Sequence, residues 1–167
     1  AARKTYPNDK DLLTELVNIS IDQGDNEAAK QALDDAIAAD PKNPALHYII
    51  GTIYMSMENN EEAEQSLRKA LEIKPDYVNA QYQLGAHLFN WYLALSDQAS
   101  FLDIGDPNIP QLEKKAEEKL ADAVKYLEMY IASEPNDKPV LNILYKAYYK
   151  MENTEKALEY KKRYDAL

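Results

Sequence analysis

Three prolines, Pro7, Pro41 and Pro75, follow one another at intervals of 34 residues. Five places before each stands a small residue: Ala2, Ala36 and Ala70. A spacing kept twice over is an internal repeat, and a period of this length suits one pair of short helices. The stretch from Pro44 to Pro75, PALHYIIGTIYMSMENNEEAEQSLRKALEIKP, shows the unit whole. Leu46, Ile49, Ile50, Ile53, Tyr54 and Met57 recur at helical spacing, and so do Ala63, Leu67, Ala70 and Leu71. Between them Glu58-Asn59-Asn60 is too polar to bury and ends the first helix. The proline, having no N–H, stops the second helix and turns the chain. Small residues let two helix backbones come close. Each pair leaves an apolar face open, so neighbouring pairs must stack to be stable.

Composition agrees with helices and narrows the partners. Four glycines in 167 residues are few for strands and tight turns, and alanine, leucine, glutamate and lysine favour helix. A net charge of −10 argues against nucleic acid or an anionic membrane as the main partner, since both need a basic surface. No apolar run approaches the roughly 18 residues of a spanning helix, so no membrane insertion is expected. The chain has no cysteine, which removes disulfides and thiolate chemistry. These features fit a soluble protein of cytoplasm or periplasm alike, and any targeting signal would lie outside this stretch.

The two complete units agree position by position. Leu16 pairs with Ile50, Val17 with Gly51, Ser20 with Tyr54, Ala29 with Ala63 and Leu33 with Leu67. The pattern resembles the tetratricopeptide repeat (TPR) family, whose signature runs W-x-x-L-G-x-x-Y, then A-x-x-x-F, then A, then P. His47, Ile50, Gly51, Tyr54, Ala63, Leu67, Ala70 and Pro75 fill those places in the second unit. The resemblance implies an all-α fold, a right-handed superhelix of antiparallel helix pairs.

On this ruler residues 1–7 end a repeat whose body is not in the sequence. The chain is therefore expected to be a piece of a longer, bacterial, multi-repeat protein. Residues 8–41 are the first unit, with Gly24-Asp25-Asn26 as its turn, and 42–75 the second. The third, 76–135, fills its slots with Leu84, Gly85 and Leu88, but its closing proline, Pro135, comes 60 residues after Pro75, an excess of 26. Leu84, Leu88, Trp91 and Leu95 form one stripe, and Leu112, Ala116, Leu120, Ala123 and Leu127 another, either side of a break at Gly105-Asp106-Pro107-Asn108. Both helices of this pair are thus expected to be about three turns longer than usual. The fourth unit, 136–167, carries tyrosines where Gly and the last Ala are usual, Tyr145 and Tyr164, and Tyr130 does the same in the third. Its final helix is polar enough to act as a cap.

Little here could carry chemistry, and the chain is expected not to be an enzyme and to need no cofactor and no metal. The two histidines, His47 and His87, show no convergent partners in the local sequence, and both are read as structural. Asp103, Asp106 and Asn108 do not have EF-hand spacing and read as a solvated turn. Lys161-Lys162-Arg163 reads as a solvated helix face.

Binding is the more informative prospect. In the TPR fold the first helices of successive pairs line a concave groove, and their outward residues are candidates for peptide contact. By period these include Asn18, Ile21 and Asp22 in the first unit and Tyr48, Thr52 and Met55 in the second. The third contributes Asn79, Tyr82, Phe89 and Asn90, and the fourth Lys146, Tyr149 and Lys150. Aromatic and thioether groups make adaptable contact surface, and asparagines hydrogen-bond a peptide backbone. Some TPR domains of co-chaperones hold a peptide C-terminus with a lysine and asparagine clamp. The matching positions are Thr14, Asn18, Ile49, Asn79 and Gln83, and without cations there a dicarboxylate would be held poorly. The expected function is a non-catalytic scaffold that binds a protein or peptide in the groove, with an acidic end near Lys146 and Lys150. The alternative is a homo-oligomer, formed through the third hairpin (Trp91, Phe101, Leu102 and Ile104) or through an open N-terminal face.

Overall fold

The computed structural model describes residues 26–167. The described residues form seven α-helices and no strand. They are α1 (Asn26–Ala39), α2 (Pro44–Ser56), α3 (Asn60–Ile73), α4 (Val78–Ser100), α5 (Ile109–Ser133), α6 (Lys138–Lys150) and α7 (Thr154–Asp165). The chain divides into two compact units, Ala1–Ala80 and Gln81–Leu167.

Three connections are built alike around a proline. In each, the residue before the proline donates its N–H to a carbonyl four residues back: Asp40 to Ala36, Lys74 to Ala70, Glu134 to Tyr130. The carbonyl of that same residue then accepts from the N–H three residues on, from Asn43, Tyr77 and Asp137. Lys74 and Glu134 sit at φ −134° and −121°, the extended region to which a following proline confines its predecessor. Two of the joints then cap the next helix. Asn43 Oδ1 accepts from Ala45 N at 3.1 Å, and Asp137 Oδ1 from Val140 N at 3.0 Å. Pro44 and Pro139 occupy the first turn, where no N–H is needed.

The turns inside two pairs share a different device. The tripeptide Met-Glu-Asn occurs at 57–59 and again at 151–153. Glu58 and Glu152 adopt φ of 60° and 58°. Asn59 N bonds Tyr54 O and Glu58 N bonds Met55 O, while Asn153 N bonds Tyr148 O and Glu152 N bonds Tyr149 O. This is the Schellman arrangement, and it uses glutamate where glycine would be unstrained.

In the first unit Ala32, Leu33 and Ala36 of α1 pack with Leu46, Ile50 and Ile53 of α2, with Ile49, Tyr54 and Met57 at the edge. The other side of α2 meets α3 through Gly51. A Cβ on Gly51 would lie 2.8 Å from Leu67 Cγ. In the second unit Tyr82 faces Tyr130, Gly85 faces Leu127, and Trp91 lies under Lys119. Partner numbers fall as those on α4 rise, so α4 and α5 run antiparallel. They are 23 and 25 residues long, against 13 and 12 in α6 and α7. The elongated third pair therefore carries its tip about 15 Å further than a pair of ordinary length would. The tip turns through Gly105 at φ +93°. Asp106 Oδ1 accepts from Asn108 N at 2.8 Å and from its amide at 3.0 Å. The two residues thus close a turn at the tip, and among the described residues no group of three or more His, Asp or Glu side chains is placed to hold a metal ion.

Two substitutions should move stability in opposite directions. A Cβ on Gly85 would lie 2.6 Å from Leu127 Cγ and 3.1 Å from Leu127 N, so neither neighbour can swing aside cheaply. Gly85→Ala gains roughly 1 kcal/mol of helix propensity but overpacks the seam by about 1–3 kcal/mol, and denaturant unfolding should show net destabilisation. Glu152→Gly relieves the left-handed backbone and should stabilise by up to about 1 kcal/mol. A Gly85→Ala protein as stable as the parent would refute the close-approach account.

Candidate functional site

On α4, Phe89, Tyr92 and Leu93 follow at i, i+3 and i+4 and so share a face. The adjacent stripe, Leu84, Leu88 and Leu95, is buried. On α6, Tyr145, Lys146, Tyr149 and Lys150 also share a face. These seven side chains line one pocket of about 270 Å³. Its floor is apolar, with Phe89 and Tyr92 nearly buried and their rings 5.8 Å apart. Its rim is exposed: Tyr149 keeps 67% of its surface and Leu93 42%. The Tyr145 and Tyr149 rings stand 6.4 Å apart. The ammonium groups belong to exposed side chains, so the pocket offers aromatic surface next to two cations in a chain of net charge −10.

Four of the residues singled out from sequence meet here: Phe89, Lys146, Tyr149 and Lys150. The others lie elsewhere. Tyr82 leans on Tyr130 at 5.1 Å and is not part of the pocket lining, and Asn90, next to Phe89 in sequence, is exposed. Within the first unit Tyr48 is half-buried against Tyr77 at 5.3 Å. Thr52 donates its hydroxyl to Ile49 O at 2.7 Å, Met55 is half-buried and Asn79 is exposed. Asn18, Ile21 and Asp22 lie outside the described residues. Of the clamp positions, Ile49 packs on the core, where an apolar side chain is useful and a donor would not be.

The four hairpin residues separate into two groups. Phe101 is 88% exposed and Ile104 fully so, and half-buried Leu102 lines two depressions at the tip, one of them together with Ile104. Trp91 is buried instead, with Lys115 and Lys119 over its ring at 4.7 and 4.3 Å and the His87 ring 6.0 Å away. Trp91 therefore belongs to the packing of the hairpin and offers no surface to a partner. His47 has a structural bond: Nε2 lies 2.9 Å from Pro41 O, which requires the Nε2–H tautomer. Arg163 is more than a solvated cation. Its guanidinium donates to Pro135 O at 3.0 Å and covers the Tyr160 ring at 5.3 Å.

Sequence reasoning passed over Tyr92, Leu93 and Tyr145. The signal for Tyr145 was present, since it stands at the register of Gly51 and Gly85. A ring replaces the glycine there, and Tyr145 lines the pocket.

Glu128 on α5 is the hub of a polar cluster. Its Oε1 accepts from Tyr148 OH at 2.6 Å, Lys156 Nζ at 2.7 Å and Tyr160 OH at 3.1 Å. Lys156 also donates to Tyr148 OH at 2.9 Å, and the Tyr148 and Tyr160 rings stack at 5.7 Å. Burial alone would raise the Glu128 carboxyl, but bonds from Lys156, Tyr148 and Tyr160 bring it below its ordinary value. Burial and the Glu128 carboxylate push the Tyr160 phenol well up. Nearby, Tyr130 donates to Asp137 at 2.7 Å, and burial with that bond pushes its phenol to about 12. Such saturated groups brace α5, α6 and α7 together; none is poised to exchange a proton near neutrality.

The family model described as tetratricopeptide repeat matches residues 1–53 and 20–88, together just over half of the chain. Over 68 residues the chain is 37% identical to cellulose synthase operon protein C of Pseudomonas fluorescens (strain SBW25), covering 41% of this chain and 5% of that protein. Over 75 residues it is 32% identical to the STIP1 homolog of Dictyostelium discoideum, covering 41% of this chain and 13% of that one. The chain thus spans only a small part of these curated relatives. Among solved structures it is similar to MamA, with a TM-score of 0.70 at 19% identity over 98% of this chain and 80% of that one. It is also similar to the first TPR domain of Spaghetti (RPAP3) bound to the HSP90 peptide SRMEEVD, with a TM-score of 0.61 at 23% identity over 86% and 95%. At these identities the likeness is one of fold.

The Glu128 brace makes a pH prediction. A carboxyl held below its unfolded value of 4.5 stabilises fully above that pH and loses its contribution as pH falls through the folded value. Denaturant unfolding from pH 7 to 3 should show stability falling below about pH 4.5, with a shallower fall in Glu128→Gln. At pH 7 that variant should lose about 1–2 kcal/mol. Equal acid sensitivity in both proteins would remove Glu128 from the account.

Proposed function

The chain belongs to the tetratricopeptide repeat family, and on that premise we propose that it is a non-catalytic interaction module whose α4/α6 pocket receives a peptide segment of a partner protein. The observation that carries the reading is the pocket itself: an open aromatic recess with Lys146 and Lys150 on its rim, in an acidic chain. An aromatic or branched apolar side chain fills such a recess, and carboxylates beside it meet the two ammonium groups. Aromatic anchors in a desolvated centre with charge at the rim are how most interfaces concentrate binding energy. The RPAP3 domain of the same fold holds a peptide with consecutive acidic residues, which supports the choice of an acidic segment here. The support for a non-catalytic role is that the clustered titratable groups, Glu128, Lys156, Tyr148 and Tyr160, saturate one another.

Tyr48, Thr52 and Met55 remain candidates for a second contact surface on the first unit, together with Asn79 and with Asn18, Ile21 and Asp22. The pocket is the stronger candidate because its apolar rim has no cover within its own unit.

Calorimetric titration with peptides that combine one aromatic residue with two or three carboxylates tests the assignment. Tyr149→Ala removes an exposed ring, so folding should be unaffected while affinity drops at least about tenfold. Lys146→Glu with Lys150→Glu should weaken binding further, and more at low salt than at high salt. Peptides that bind the parent and both variants equally well would exclude the pocket.

A further inference from the structure

The tip of the long hairpin carries the chemistry that the pocket asks for. Phe101 and Ile104 are the most exposed large apolar residues of the described chain, and Asp103 and Asp106 stand among them in the sequence FLDIGD. Exposed apolar groups on an acidic tip match an aromatic recess rimmed by lysines. Phe101 does not fill the pocket of its own chain, because it is 88% exposed.

Tip and pocket also lie along one surface of the second unit. The pocket shares Tyr92 and Lys150 with an adjoining depression lined by Ser96, Glu113 and Glu117. That depression shares Ser96 and Glu113 with a third, lined by Leu102, Ile104 and Ile109 at the tip. A continuous trough therefore leads from the aromatic recess to the tip, with the carboxylates of Glu113 and Glu117 in its middle. A surface that offers a knob at one end and a hole at the other is self-complementary under a two-fold rotation. On α4, Ser96 lines both flanking depressions and stands between Tyr92 of the recess and the helix end at Ser100, from which the 101–106 tip continues, so it marks the middle of the trough.

We propose that the occupant of the pocket is the 101–106 tip of a second copy of this chain, so that two chains exchange tips reciprocally about an axis near Ser96. This rests on the reading of the α4/α6 pocket as a peptide-docking site. In the pair, Phe101 and Ile104 leave water for the aromatic floor, and Asp103 and Asp106 face the partner's Lys146 and Lys150. Reciprocal exchange closes the assembly at two chains, whereas one-way insertion would leave a tip and a pocket open for further copies.

Sedimentation velocity of the full chain across a wide concentration range tests the proposal. The expected result is a monomer–dimer equilibrium without larger species. Phe101→Asp and Ile104→Asp change solvent-exposed side chains, so circular dichroism should be unchanged while association weakens at least about tenfold. Tyr149→Ala should do the same from the pocket side. Asp103→Lys should weaken the dimer, and adding Lys146→Asp and Lys150→Asp should restore it, which a merely structural role would not produce. A strict monomer at every concentration, or a dimer indifferent to both tip and pocket variants, overturns the exchange. Titration of the Phe101→Asp chain with the peptide ASFLDIGDPN and with unrelated aromatic acidic peptides separates the two readings. If the unrelated peptides bind through Tyr149 while the parent stays monomeric, the docking site stands and self-docking falls. If no peptide binds and the parent is monomeric, both fall.

Discussion

The contact on which each long seam depends is that of a glycine on one helix with a leucine on the next. Gly51 under Leu67 and Gly85 under Leu127 leave no room for a single added carbon. At that separation the neighbouring side chains interdigitate on both sides, which is why Ile50, Leu84, Leu88 and Ala123 are almost fully buried. The prolines act after this contact. They end a helix and set the next one off through a repeated pair of hydrogen bonds, but the depth of the pair is set by the missing Cβ.

The fourth pair breaks the rule, and the site follows from the break. Tyr145 stands where the glycines stand, and Lys161 stands at the register of Leu67 and Leu127. With no leucine to cover it, the position tolerates a ring, and that ring joins Tyr149, Phe89 and Tyr92 around a recess. The pair is then held by other means. Glu128 gathers Tyr148, Lys156 and Tyr160, Asp137 takes Tyr130 while capping α6, and Arg163 ties α7 to the Pro135 carbonyl. Polar bonds between tyrosines, Tyr148 and Tyr160 buried among them, and carboxylates replace the close apolar seam.

What was legible from sequence divides along the same line. The helical fold and the elongated third pair could be read because they rest on periodicity and on proline and glycine spacing, which are local. The capped turn at Met-Glu-Asn was legible in principle as a tripeptide met twice, yet its left-handed glutamates were not, because glutamate carries no such preference. Assigning outward faces by period found Phe89, Lys146, Tyr149 and Lys150 but missed Tyr92, Leu93 and Tyr145. Period gives the direction of a side chain on its own helix and does not say which neighbouring helix will cover it. Tyr82 shows the same limit from the other side: Tyr130, large where alanine is usual, comes up to meet it. Trp91 was misplaced for a related reason. Lysine stems from the facing helix cover its ring, and a lysine in a sequence is ordinarily counted as surface.

The excess of residues in the third pair could have built another pair of short helices; it lengthens two existing ones instead. A further pair would have buried its apolar stripe against its neighbours. Lengthening buries Leu95, Ala99 and Ala116 on the extended α4 and α5 and leaves the tip exposed. Phe101 and Ile104 then have nothing within their own unit to cover them. Natural surfaces rarely keep two such residues together in water, and these are flanked by aspartates rather than embedded in a basic or neutral patch. Extra length on the hairpin thus creates an acidic apolar knob, and the loss of one glycine creates an aromatic recess rimmed by lysines. The two departures from the repeat both expose apolar surface and carry opposite charge.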